Sequence, residues 1–349
     1  MSAMPVEGKW LDAFRRTFTL SGIGEGAIVG ILSETLSRAV NVKLAELALI
    51  AVGAKVFHIV MPTPAQSDPV PVRSTGASQA LQQHPAALSG LAACQFIVDC
   101  TIEGLLHAPE LPALLAGGAR VLMISNEHPE ILERLTPDPA LQPVVAAAVA
   151  RLRAAKEMHV TSPAGTNLKV AAAGAPVHGN AGYLAGKTKV AHWPGGLCLC
   201  FPKAGTVNGT LVLAAGDVNL TFKRYLETPV RLRVENDYVV AIEGDGLDAA
   251  LMRSYIEAWG ERDAYAVSHL GWGLNPRARW DALALYDKAD INGTELRAFA
   301  GNFLYSTGAN ETAGRFTRGH FDLPLRNCTI TLDGRAVVEA GRLCDPGEG

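Results

Sequence analysis

The sequence predicts an α/β protein in two parts. An N-terminal open α/β sheet domain is expected over residues 1–157 and a β-rich α+β domain over residues 158–349. Three observations predict this. Short apolar runs alternate with helical stretches through the first half, which implies a largely parallel sheet. Beyond residue 157 the apolar runs become short strands separated by turn residues. The chain is also 48% hydrophobic and 19% charged over 349 residues, enough to fill large cores and too apolar to be disordered.

The elements follow in order. Ala27 to Leu49 reads as a helix with mixed apolar and polar faces. Lys55-Val-Phe-His-Ile-Val-Met, stopped by Pro62, reads as a strand. Cys94-Gln-Phe-Ile-Val-Asp-Cys is a second strand, and Gly117-Gly-Ala-Arg-Val-Leu-Met-Ile-Ser a third. An Ala- and Arg-rich helix is expected over about residues 142–156. Met158 to Ala171 holds two strands around a Pro/Gly turn. Short strands continue through Leu211-Val-Leu, Val230-Arg-Leu-Arg-Val and Tyr238-Val-Val-Ala-Ile, interrupted by a helix from Gly246 to Gly260. Ile330 to Val338 is a hairpin turning at Asp-Gly.

Several function classes lose their usual anchors. Net charge is −3 and no run of Lys and Arg tracks a phosphate backbone, so no nucleic-acid partner is expected. The first 25 residues lack a basic start and an apolar core, so no signal peptide is expected. The stretch Leu44 to Val60 is broken by Glu46, Lys55 and His58, which argues against a membrane span. The six Cys show no metal-ligand spacing. Cys198 and Cys200 would share one face of a strand and read as buried small hydrophobes. The profile suggests a reduced, cytoplasmic protein. There is no Walker A sequence, Gly-x-Ser-x-Gly elbow or His-Glu-x-x-His, and Gly22-Ile-Gly-Glu-Gly lacks dinucleotide-binding spacing and reads as a turn.

The chemistry concentrates near the C-terminus. His320 and Asp322, in Arg318-Gly-His-Phe-Asp-Leu-Pro-Leu, are two apart and share one face of an extended strand. His269, in Val267-Ser-His-Leu-Gly-Trp-Gly, is a third candidate. Two imidazoles and a carboxylate with open positions suit a non-haem Fe(II). In a chain with nine His, an accidental His-x-Asp is the competing explanation. His107 follows a predicted strand end, where ligands bind in open α/β sheets. His192, in Val190-Ala-His-Trp-Pro-Gly-Gly-Leu, lies among turn residues, where its neighbour Trp193 would either wall a flat pocket or sit on a surface loop. His178 is weaker, and His58, His84, His128 and His159 read as structural. By chemistry alone Ser306 is one hydroxyl among many.

The C-terminal half resembles the aminopeptidase T family of metallopeptidases. The resemblance runs through Thr161-Ser-Pro-Ala-Gly-Thr-Asn-Leu, His192-Trp-Pro-Gly-Gly-Leu, His269-Leu-Gly-Trp-Gly-Leu-Asn-Pro and His320-Phe-Asp. One metal carboxylate of that family would fall at Leu197 and another at His269, so a two-metal site has lost its bridging groups. The altered pattern is similar to the 2,5-dihydroxypyridine 5,6-dioxygenase family of Fe(II) enzymes in bacterial nicotinate and nicotine catabolism, over nearly the whole chain. That resemblance implies iron ligands His269, His320 and Asp322, with Ser306 as an unusual additional ligand. It implies substrate contacts from His107 and His192, with His107 the candidate base. It further implies a small aromatic substrate with O₂, N-formylmaleamic acid as product, and a homo-oligomer. The alternative is an aminopeptidase T-like metallopeptidase or hydrolase with an altered metal site. A non-catalytic binding protein with a degraded site is a third reading.

Overall fold

The computed structural model describes residues 5–71 and 76–344. Its first sheet is parallel throughout, in the order Lys55–Met61, Ile28–Glu34, Phe96–Asp99, Arg120–Ile124, Val190–Trp193. Alternate residues of a strand face opposite sides, and the sheet is covered on both. Ile31 packs with Phe14, Phe18, Leu44 and Leu49 on one face. Leu32 packs with Leu81, Leu91 and Leu114 on the other.

The expected helix over 27–49 divides into the strand Ile28–Glu34 and the helix Ala39–Ala51. A strand buried on both faces is a continuous apolar run, which periodicity alone does not separate from a helix. The helix Gly8–Leu20 was not expected, although Trp10, Ala13, Phe14, Thr17 and Phe18 bury one helical stripe. The strands expected at 55–61, 94–100 and 117–125 are present, as is the long Ala-rich helix, at Leu141–Ala154.

Past residue 157 the pairing turns antiparallel. Glu157–Thr161 and Asn167–Ala171 form a hairpin at the centre of an eight-stranded sheet. The hairpin Thr329–Leu332 to Arg335–Glu339 lies on the same sheet. Its turn residues Asp333 and Gly334 both have positive φ, as this turn class requires. A further sheet runs Asp322–Leu325, Phe303–Thr307, Val267–Gly273, Leu197–Cys200, Val177–Asn180, antiparallel throughout. Cys198 and Cys200 are buried in the core it shares with the eight-stranded sheet. The chain crosses back once: Val190–Trp193 follows residue 157 but completes the N-terminal parallel sheet. That crossing sets the carboxyl end of the parallel sheet against the five-stranded antiparallel one.

Candidate active site

Three adjacent strands of the antiparallel sheet deliver three of the predicted ligands in a row. Ser306 pairs directly with Asp322. On its other side the register slips: Val267 faces Thr307 and Leu270 faces Tyr305. Ser268 and His269 therefore stand opposite Ser306 alone, a β-bulge, a device that re-aims a side chain. His320 lies just before the Asp322 strand and reaches the same carboxylate. Gly308, at φ 114°, permits this approach, because a Cβ there would lie 2.4 Å from the Gly319 carbonyl oxygen and 3.3 Å from His320 Nδ1.

The four side chains are buried. Ser306 Oγ lies 2.9 Å from His269 Nε2 and donates a very short hydrogen bond to Asp322 Oδ1. His269 Nε2 is 3.6 Å from that oxygen, and His320 Nε2 is 3.1 Å from the other, Oδ2. Arg297 Nε donates to Oδ2 at 2.5 Å. Burial alone would raise the Asp322 pKa, but Arg297, His320 and His269 outweigh it and hold it well below the usual range. Burial pushes His269 down to about 3, so its ring is neutral at physiological pH.

The hydrogen bonds fix the His269 tautomer. Ser268 Oγ donates to the Ala309 carbonyl and so accepts from His269 Nδ1 at 3.0 Å. His269 Nε2 then presents a lone pair to the Ser306 oxygen. The one hydroxyl hydrogen of Ser306 cannot serve both His269 and Asp322. Among the described residues no group of three or more His, Cys, Asp or Glu side chains stands at the spacing of a metal site. Yet neighbouring ligands on an octahedral ion with bonds of about 2.1 Å sit about 3 Å apart. The measured separations bracket that value. A knot of acceptors short of hydrogens, at the spacing of neighbouring ligands, fits a divalent cation.

His269, His320 and Asp322 open onto a cavity of about 100 Å³ at the carboxyl end of the parallel sheet, and Ser306 lies behind them. An engineered cavity of ~150 Å³ admits one benzene ring, so this smaller space has room for no more than one small ring. Leu197, Leu199 and Leu304 form an apolar wall. Leu197 thus stands at the cavity edge where the peptidase pattern would require a carboxylate.

His107 and His192 also line the cavity. His107 stacks on His269 with ring centroids 6.4 Å apart, and its Nδ1 is 3.6 Å from Glu311 Oε1. Its loop is organised by the buried Asp99, which accepts from the Thr101 hydroxyl and from the Thr101 and Leu105 amides. His192 lies on a strand rather than a surface loop, and its Nδ1 donates to the Pro194 carbonyl at 2.9 Å. The Asn180 carbonyl oxygen accepts from the His192 amide. Burial lowers the His192 pKa to about 4. A neutral ring with Nδ1 protonated leaves Nε2 as an acceptor, and Asn180 Nδ2 lies 3.2 Å from it. Trp193 walls no pocket: being next along the strand, it faces the opposite side and packs on Phe14 in the core.

The remaining His do not join the site. His178 packs on Phe201, His128 caps the helix Pro129–Arg134, and His159 bonds Asn167. Arg297 and Asn180 were missed from sequence. Neither belongs to a motif, and no spacing pointed to them.

The family model for 2,5-dihydroxypyridine 5,6-dioxygenase matches residues 9–345. The chain belongs to the 2,5-dihydroxypyridine 5,6-dioxygenase family. It is 36% identical to the 2,5-dihydroxypyridine 5,6-dioxygenase of Pseudomonas putida, covering 99% of each chain. The solved structure of the Pseudomonas putida 2,5-dihydroxypyridine dioxygenase superposes with a TM-score of 0.93 at 35% identity, again over 99% of both chains. AmpT from Thermus thermophilus shares the fold at a TM-score of 0.62 and 14% identity, over 97% of this chain and 99% of its own. The dioxygenase family and the AmpT-like fold are therefore both present, as the motifs implied.

Proposed function

We propose that this protein is a ring-cleaving dioxygenase that converts 2,5-dihydroxypyridine and O₂ to N-formylmaleamic acid. The observation that carries the reading is the convergence of His269, His320 and Asp322, with Ser306 bonded behind them, on a one-ring cavity that His107 and His192 also line. In this reading His269, His320 and Asp322 hold one Fe(II), with Ser306 as a weaker fourth donor. Bound Fe(II) supplies open positions through which O₂ and an electron-rich ring exchange electron density.

The chain's own residues do the rest. Arg297 and the Ser268–His269 hydrogen bond fix the donors before substrate arrives, as supporting groups around metal ligands do. The leucine wall excludes water from the ring face. His107 accepts the 5-hydroxyl proton, making the ring a stronger electron donor; imidazole is suited to this at neutral pH. His192 Nε2 accepts a hydrogen bond from the ring in place of the one Asn180 Nδ2 offers it. Both oxygen atoms of O₂ end in the product and no reductant is consumed.

The peptidase alternative is disfavoured by Leu197, which offers no ligand to a second ion. No helix among the described residues is long and apolar enough to cross a membrane. No disulfide forms among them. We place the protein in the cytoplasm of a pyridine-degrading cell, as a homo-oligomer, in keeping with the family resemblance. The test is anaerobic Fe(II) reconstitution followed by oxygen uptake with 2,5-dihydroxypyridine. One O₂ consumed per ring is expected; no uptake by the loaded protein would overturn the reading.

A further inference from the structure

We infer that Ser125 and Thr294 together recognise the oxygen at position 2 of the ring and thereby select substrates oxygenated para to the reacting hydroxyl. The inference rests on the function proposed above. Both residues line the cavity. Ser125 follows the strand Arg120–Ile124, and its amide bonds the Trp193 carbonyl at 3.0 Å, at the carboxyl edge of the parallel sheet. Thr294 opens the short helix Thr294–Ala298, which also carries Arg297.

Position is the first argument. Thr294 and Arg297 are three apart on one helix, with Cβ atoms about 5–6 Å apart. Arg297 is bonded to Asp322, so one short helix carries both Thr294 and a group that holds the donor set. Ser125, Thr294, His269, His320 and Asp322 line one cavity, so a ring whose 5-hydroxyl lies at the donors can present its position-2 oxygen to the hydroxyl pair.

Hydrogen count is the second argument. Ser125 Oγ and Thr294 Oγ1 are 2.9 Å apart, and Asn292 Nδ2 donates to Thr294 Oγ1 at 3.3 Å. Two hydroxyls own two hydrogens, and one of them fills the bond between them. Whichever residue donates, one O–H is left for a ligand acceptor. The pair is held rigidly: the Glu127 carboxylate accepts from the amides of Asn292, Gly293 and Thr294. A site built to bond a substrate oxygen rejects the analogue that lacks it.

The test compares anaerobic binding of 2,5-dihydroxypyridine and of pyridin-3-ol, the same ring without the position-2 oxygen, to the iron-loaded protein. Wild type should bind the first more tightly. Ser125→Ala and Thr294→Val singly should weaken it by less than about 10-fold, since the surviving hydroxyl still owns a hydrogen. The double variant should lose about 10- to 100-fold for 2,5-dihydroxypyridine and almost nothing for pyridin-3-ol, erasing the preference. Thr294→Ser should retain it. Equal weakening of both rings, or an unchanged preference, would overturn this inference while ring cleavage by wild type leaves the function standing. A loaded wild type that neither binds nor cleaves 2,5-dihydroxypyridine would overturn both.

Discussion

Asp322 is where charge, hydrogen bonding and candidate ligation meet. It is a buried carboxylate between two imidazoles and a guanidinium, and removing it takes away the acceptor of the Arg297 Nε–H. Alanine at His269, His320 or Asp322 should lower bound iron and oxygen uptake together, measured by metal analysis on the same preparation. His320→Ala with full iron and full activity would remove the basis for the ligand set. Ser306 is a neutral hydroxyl and a weaker donor. Ser306→Ala should lower the rate or iron affinity while part of the iron stays bound. His107 touches no other candidate donor except through its stack on His269. His107→Ala should keep its iron and lose about 10²–10⁴-fold in kcat, the usual contribution of an acid–base group. The loss should shrink at high pH, where the hydroxyl ionises unaided. A defect confined to substrate affinity would instead assign the base to His192.

Between residue and molecule, the short helix Thr294–Ala298 links both ends of the cavity, and Glu127 anchors it. Burial raises the Glu127 pKa, yet three consecutive backbone amides satisfy the carboxylate. Glu127→Ala would strand those amides. A cost of about 2–5 kcal/mol in urea unfolding is expected, with weaker ring binding because Thr294 and Arg297 move together. Unchanged stability would show that water replaces the carboxylate. This element also marks where the sequence stops being readable. The strand Lys55–Met61 and the Asp333-Gly334 hairpin announce themselves through local apolar runs and turn chemistry. His320 and Asp322 show their shared face by spacing alone. The alignment of His269 with Ser306 does not, because it depends on a bulge that two strands define only jointly. Arg297 and Glu127 act through partners 25 or more residues away, Arg297 on Asp322 and Glu127 on residues 292–294. The strand Ile28–Glu34 was hidden in a helix-like run because a strand buried on both faces has no alternation to display.

Across the whole molecule, buried titratable groups set opposing pH dependences. His192 is pushed down to about 4, chiefly by burial with Arg297 adding to it and the Pro194 carbonyl opposing. Its unfolded pKa is about 6.5. Below 6.5 the unfolded chain takes up a proton that the folded chain refuses until about pH 4. Stability is therefore lost as pH falls through that window and is flat below it. Asp99 and Asp217 act the other way. Burial raises each to about 6, so the folded state binds protons first and gains stability as pH falls from 6 toward 4. Subtraction isolates the histidine, because His192→Gln leaves both carboxylates and His269 in place. Between pH 7 and pH 5 the wild-type protein should lose about 2 kcal/mol relative to the variant, from 1.36 kcal/mol per pH unit over about 1.5 units. Urea unfolding of the metal-free proteins at the two pH values measures this difference. Parallel stability curves would mean that His192 takes up its proton without unfolding, and that a ring able to charge in place could not serve as the fixed acceptor assigned to it.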